Sequence, residues 1–176
     1  EYFTHTFAIN SNSKYLVILR DLRDIICSFE TLVHKYPNII IGDTEVPFQH
    51  NTFEKRMELY CTDGMANLGR PLHMLPHLME VANKHPNNFF FLRHEDFNNN
   101  PKEALRLIYQ WLGEENFEHD LDNIPVPDYY EHDTVYRSMV SHKTGTKLKK
   151  LEPRWPKVMT PEQSQLVLQN NQWYYQ

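Results

Sequence analysis

Residues Lys14–Phe29 read KYLVILRDLRDIICSF. Tyr15 to Leu19 is an unbroken apolar run containing the β-branched Val17 and Ile18, and Arg20 ends it abruptly. A short apolar run of this kind predicts a strand buried on both faces, as in a parallel sheet. The period then changes. Leu22, Ile25, Ile26 and Phe29 recur at helical spacing, with Arg23, Asp24 and Glu30 between them. Asp21 and Asp24 fall in the first turn, where negative charge suits the helix dipole. The stretch therefore predicts strand, tight turn and helix. Arg20 stands at the strand's carboxyl end, where open α/β sheets bind ligands. Ser28 follows about two helical turns later. A guanidinium fork and a hydroxyl suit phosphate oxygens. A plainer arrangement of the same residues is a buried strand whose edge Arg20 pairs with Asp24.

The chain has 176 residues, enough for one domain with a real core and few for two. Apolar content of 40% and charged content of 23% match an ordinary soluble globular protein. The net charge of −5 argues against nucleic acid as a partner of the whole surface. Cys27 and Cys61 form neither a disulfide framework nor a metal site, and Cys27 reads as a core thiol. His73 and His77 have a zinc-compatible spacing, but the glutamate of H-E-x-x-H is missing and Pro76 interrupts the turn, so no metal is expected. No apolar run approaches the ~20 residues needed to span a bilayer. No signal peptide is visible, so a cytoplasmic protein is expected. The chain starts at Glu1 rather than Met, so its natural start is expected upstream.

Asn88–Leu92 predicts a second buried strand, running into Arg93-His94-Glu95-Asp96-Phe97. A helix should follow, with Asn100 as cap, Pro101 first, Glu103 three after the cap, Ala104, Leu105, Ile108 and Leu112 inward, and Gly113 as terminator. Thr52–Tyr60 reads as a short helix capped by Thr52, with Phe53, Met57 and Tyr60 as core. Pro71–His85 is helical in pattern, Asn38–Asn51 reads as a loop, and Thr160–Tyr175 as a final helix opened by Thr160, Pro161 and Gln163. Asp128–Lys150 holds a basic cluster, Lys143, Lys147, Lys149 and Lys150, in an otherwise acidic chain. A solvated charge run is the plain account of it.

These stretches carry a family resemblance. An apolar strand followed by R-[DN]-x-[RK]-D-[VI]-x-x-S-[FY] resembles the 3′-phosphate-binding segment of sulfotransferases that use 3′-phosphoadenosine 5′-phosphosulfate (PAPS). The block FFFLRHEDFNNNPKEALRLIYQWLG resembles the same family's strand, its [KR]-Y-E-D-L and its following helix. The resemblance implies an α/β fold: a mostly parallel sheet flanked by helices, sulfotransferase or P-loop nucleoside triphosphate hydrolase-like and related to nucleotide kinases. It implies that Arg20 and Ser28 hold the 3′-phosphate of PAPS or of its product, 3′-phosphoadenosine 5′-phosphate. His94, standing where the family has tyrosine, would lie near the adenine. His142-Lys143-Thr144-Gly145 is similar to the segment that folds over the cofactor, which assigns Lys143 and Gly145 to cofactor binding. Thr4-His5 resembles the end of a K-T-H motif, making His5 the candidate base, although Phe3 replaces the lysine and the spacing to Arg20 is short. Trp173-Tyr174 resembles the aromatic end of the family's last helix.

The implied reaction is sulfuryl transfer from PAPS to a hydroxyl or amine of a small-molecule or carbohydrate acceptor. The five glycines, at positions 42, 64, 69, 113 and 145, all follow Arg20. A phosphate-cradling loop needs glycine so that backbone can approach the anion. The family's loop and the strand before it are therefore expected to lie upstream. Residues 1–176 would then be one sulfotransferase-like domain, the C-terminal portion and roughly three quarters of a longer natural one. The chain as given is expected to be inactive and, with unpaired strand edges, prone to self-association. Two other classes remain: a non-catalytic or truncated fragment keeping only the 3′-phosphate half-site, and a small-molecule kinase of related fold. The kinase would need a magnesium-binding carboxylate and a GK[ST] loop, and neither is evident.

Overall fold

The computed structural model describes residues 12–35, 40–41, 44–45, 52–61, 68–126 and 145–176. The chain divides into two compact units, one of Glu1–Glu95 with Pro153–Gln176 and one of Asp96–Glu152.

In the first unit the apolar run forms β1, Tyr15–Leu19, as expected. It pairs in parallel with the second predicted strand, here β4, Phe89–Arg93, with Tyr15 opposite Phe89 and Leu19 opposite Arg93. Asn88 belongs instead to the short 3-10 turn Pro86–Asn88 that leads in. Tyr15 and Phe89 stack with ring centroids 4.9 Å apart. Two ties fix the register below them: Lys14 Nζ donates to the Asn87 carbonyl at 2.6 Å and Asn88 Nδ2 to the Ser13 carbonyl at 2.8 Å.

Burial on both faces of β1 is not observed. Tyr15, Val17 and Leu19 pack on Leu75, Leu78, Ala82 and Phe89. Leu16 and Ile18, on the other face, are 43% and 61% exposed. Among the described residues this sheet has two strands. An apolar run states that a strand can be buried on both sides, but not which elements cover each face.

The helices follow the apolar spacing. α1, Leu22–Lys35, turns Leu22, Ile26 and Cys27 into the core. β2, Ile40–Ile41, and β3, Thr44–Glu45, make a small antiparallel pair where a plain loop was expected. α2, Phe53–Tyr60, is capped by Thr52, whose Oγ1 accepts from Lys55 N–H, and it buries Phe53, Met57 and Tyr60. α3, Gly69–Lys84, continues through Pro76 and supplies the leucines beneath the sheet. α6, Trp155–Val158, precedes α7, Pro161–Asn170, which opens with the full capping box of Thr160 and Gln163. The predicted final helix is in fact two. Asn171 turns its side chain onto the Val167 carbonyl at 2.9 Å, taking an acceptor the helix would use, and α8, Gln172–Tyr175, starts beyond it.

α4, His94–Asn99, carries the chain into the second unit, where α5, Pro101–Leu112, ends at Gly113 with φ 82°. That left-handed value is why a glycine stands there. Asn100 occupies the cap position but makes no side-chain cap bond, and Leu112 is exposed rather than inward. The Asn98 side chain instead clasps the backbone of Leu151: Nδ2 donates to its carbonyl at 2.6 Å and Oδ1 accepts from its N–H at 3.0 Å. A residue that can both donate and accept thus closes the base of this unit.

α1 and α2 are pinned by a buried polar group. Arg56 donates to both oxygens of Glu30, at 2.8 and 2.7 Å, and Tyr60 Oη donates to Glu30 Oε1 at 2.8 Å. The Arg56 and Glu30 side chains are 8% and 6% exposed, so neither charge can fall back on water. Arg56→Met should therefore destabilise the protein by ~3–5 kcal/mol in urea unfolding. Replacing both Glu30 and Arg56 by Met should recover most of that loss, because no uncompensated charge is left. A double variant as damaged as the single one would show that packing, not charge burial, sets the cost.

Candidate anion site

The site is built on the turn from β1 to α1. Asp21 caps the helix: its Oδ1 accepts from Arg23 N–H at 2.9 Å, and its carbonyl takes the N–H groups of Asp24 and Ile25 at 3.0 and 3.2 Å. The remaining donors of the turn are met from distant parts of the same unit. Arg20 N–H donates to Tyr174 Oη at 3.2 Å, Asp21 N–H to Glu95 Oε1 at 2.9 Å and Leu22 N–H to Tyr175 Oη at 3.1 Å. Every backbone N–H from Arg20 to Ile25 is thus satisfied by the protein itself. A helix start is ordinarily a ready anion site through these amides. Here they are occupied, so an anion at this turn would have to be held by side chains.

The cations of the turn differ in how far they are committed. Arg23 forks onto both oxygens of Asp21 and lies over the Trp155 ring, 3.9 Å from its centroid. Arg20 makes an ion pair with Asp24, Nη2 to Oδ2 at 3.5 Å. That is longer than the about 2.7–2.9 Å of a strong charged hydrogen bond. Arg20 Nε is buried and has no hydrogen-bond partner among the described residues. Asp24 is itself shared, since its Oδ1 accepts from the N–H groups of Arg154 and Trp155 at 2.9 and 3.1 Å. The pairing of Arg20 with Asp24 read as the plain alternative in the sequence is therefore present, in a loose form.

The other residues singled out from the sequence fall as follows. Ser28 is half-buried on α1, one turn beyond Asp24, so Arg20, Asp24 and Ser28 lie along one stripe. His94 opens α4 directly after β4. Because Leu19 pairs with Arg93, Arg20 and His94 leave neighbouring strands at the same level, the carboxyl edge of the sheet. Gly145 lies in the second unit and is exposed, with room for a Cβ at ordinary contact distance from the Lys147 carbonyl. Its neighbourhood is tied to the acidic segment before it: Ile124 N–H donates to Thr146 O at 2.7 Å, Leu148 N–H to Leu121 O at 2.8 Å, and Lys147 pairs with Asp122. Lys147 is thus engaged by a carboxylate. His5 and Lys143 lie outside the described residues.

An apolar cavity of about 330 Å³ adjoins the turn. Leu19, Leu22, Ile25, Leu72 and Leu75 contribute to its wall, with Arg20 and Tyr174 as its polar groups. Glu95, Tyr174 and Tyr175 were not identified as site residues from the sequence. The sequence marks Trp173-Tyr174 only as the aromatic end of a helix; the partners of Tyr174 and Tyr175, Arg20 and Leu22, lie more than 150 positions away.

A family model described as the sulfotransferase domain matches residues 3–168, and the chain belongs to that family. No curated protein matches it. The family supports sulfuryl transfer as the activity, and the helix-rich architecture around a small parallel sheet is consistent with its α/β fold. Among the described residues no helix is long and apolar enough to cross a membrane.

The Asp21 carboxyl supports this turn in a pH-dependent way. Burial acts to raise its pKa, but hydrogen bonds from the Arg23 side chain and backbone and from the Tyr175 hydroxyl, with the Arg23 charge, hold it below the ordinary 3.8. A depressed carboxylate stabilises the fold above its unfolded pKa and loses that contribution as pH falls through the folded value. Asp21→Asn should therefore cost about 1–2 kcal/mol at neutral pH. The gap from the parent protein should close as the pH is lowered below 3.8. A gap that stays constant into acid would show that the carboxylate charge is not what holds the turn.

Proposed function

We propose that this sulfotransferase takes PAPS as its donor and transfers the sulfuryl group to a hydroxyl or amine of a small-molecule or carbohydrate acceptor. The observation that carries the reading is Arg20: a guanidinium at the carboxyl edge of a parallel sheet, loosely paired at 3.5 Å and with a buried Nε that has no partner among the described residues. Those spare donors fit the 3′-phosphate of the donor. Ser28, on the same stripe, would add a hydroxyl, and His94 at the neighbouring strand end would lie by the adenine. On the family resemblance alone, Lys143 and Gly145 would be cofactor-binding residues and His5 would take the acceptor's proton.

The donor supplies an activated sulfuryl group on a good leaving group. The chain's own task is to orient that nucleotide and to hold its charge. Arg20 and Ser28 anchor it at the end remote from the transferring group. Asp24 stands in the way as much as it helps, because its carboxylate must give up Arg20 when phosphate arrives. With one of its oxygens held by two backbone N–H groups, Asp24 does not lose all its partners in that exchange. The sequence given carries no glycine-rich loop before Arg20 for the 5′-phosphosulfate. Losing a single preorganised donor can cost about 100-fold in rate.

A ligand that binds only the folded state raises stability by RT ln(1 + [L]/Kd), about 2.7 kcal/mol at a hundred times Kd. Thermal melting should therefore shift more with 3′-phosphoadenosine 5′-phosphate than with 5′-AMP. The difference should vanish in Arg20→Ala and grow in Asp24→Asn, which keeps an acceptor for the α6 amides but frees Arg20. Equal shifts with both nucleotides would mean that the 3′-phosphate is not read, and PAPS would be the wrong donor.

A further inference from the structure

The last turn of the chain holds the residue on which the nucleotide reading depends. The Tyr174 hydroxyl accepts from Arg20 N–H at 3.2 Å and donates to the Arg20 carbonyl at 2.8 Å. These two groups belong to the peptide planes on either side of the Arg20 Cα. Fixing both planes fixes the direction of the Cα–Cβ bond, and so the cone that the guanidinium can sweep. The Arg20 carbonyl lies outside the α1 ladder, whose first acceptor is the Asp21 carbonyl, so the tyrosine serves a group that the helix does not.

The ring of Tyr174 is anchored independently of the turn. It packs on the Leu75, Leu78, Ala82 and Phe89 cluster and lines the same apolar cavity as Arg20. Tyr175 repeats the arrangement one step on. Its hydroxyl accepts from Leu22 N–H at 3.1 Å and donates to Asp21 Oδ1 at 2.9 Å, and Asp21 in turn grips Arg23. A hydroxyl is needed in both places because each must donate and accept at once. Burial raises the pKa of both phenols, so they keep those protons at neutral pH.

We propose that Tyr174, supported by Tyr175, is a positioning residue that aims the Arg20 guanidinium at the 3′-phosphate; this rests on the nucleotide reading above. The tyrosines do not touch the phosphate. They act through the backbone of the residue that does.

Tyr174→Phe, which keeps the ring and removes the hydroxyl, separates this role from a merely structural one. Binding of 3′-phosphoadenosine 5′-phosphate and of 5′-AMP is measured by titration calorimetry, and the Arg20 Nε–H resonance is followed by NMR in the ligand-free protein. The preference for the 3′-phosphorylated nucleotide should fall about fivefold to tenfold, affinity for 5′-AMP should hold, and the Nε–H signal should shift and exchange faster with water. A structural role alone would lower the melting temperature and leave both the preference and the resonance in place, which overturns the proposal. If Tyr174→Phe does not fold, Tyr175→Phe replaces it, with a loss of preference of about threefold expected and an unchanged preference again overturning the proposal. If the parent protein shows no preference at all, the PAPS reading fails by itself. The Nε–H resonance then still decides whether Tyr174 positions Arg20.

Discussion

One phenol oxygen binding both sides of one residue, Tyr174 Oη on the N–H and carbonyl of Arg20, is the constraint on which the turn between β1 and α1 depends. A strand that ends and a helix that begins leave backbone groups without regular partners. Here four successive N–H groups, from Arg20 to Arg23, are met by Tyr174, Glu95, Tyr175 and Asp21. Two of those acceptors come from the end of the chain and one from the start of α4, so the first unit can complete the turn only when the whole of it is assembled. The β1–β4 register, the Leu75–Leu78–Phe89 cluster beneath it and the docking of α8 are consequently parts of one cooperative arrangement.

The capped turn also decides what kind of anion site this can be. A glycine-lined loop offers backbone amides, which are rigid and placed by the fold. This turn has given its amides to side-chain acceptors and offers guanidinium and hydroxyl groups instead. Side chains move, and one that must discriminate a phosphate needs its rotamer limited by neighbours. Asp24 supplies part of that limit at 3.5 Å and the apolar wall of the adjoining cavity supplies another. The same carboxylate would compete with an incoming phosphate, so the proposed anion affinity would be set by a difference between two charged partners and not by a single contact.

The local parts of this arrangement were legible in the sequence. Tyr15–Leu19 reads as a strand because nothing but apolar residues lies between Lys14 and Arg20, and it is one, residue for residue. Thr52, and Thr160 with Gln163, read as caps and form them. Arg20 and His94 read as strand-end residues and stand at the same edge. What failed depends partly on local side-chain competition and partly on partners far along the chain. The exposure of Leu16 and Ile18 reflects which elements lie beside β1, which no local period encodes. Asn100 has the residue type of a cap but φ −142° and ψ 70°, and makes no cap bond. Asn171 splits the last helix through a side-chain bond that competes with the backbone. The tyrosine clamp joins positions 20–22 to 174–175, and nothing in either stretch alone announces the other.

The most direct test of the central claim is a crystal structure of the protein with 3′-phosphoadenosine 5′-phosphate bound. The account predicts the 3′-phosphate within hydrogen-bond distance of the Arg20 guanidinium and the Ser28 hydroxyl, with Arg20 turned from Asp24. The N–H groups of Arg20, Asp21, Leu22 and Arg23 should remain on Tyr174, Glu95, Tyr175 and Asp21. A phosphate cradled by those amides, with the tyrosines displaced, or a nucleotide bound elsewhere while Arg20 stays on Asp24, would contradict it.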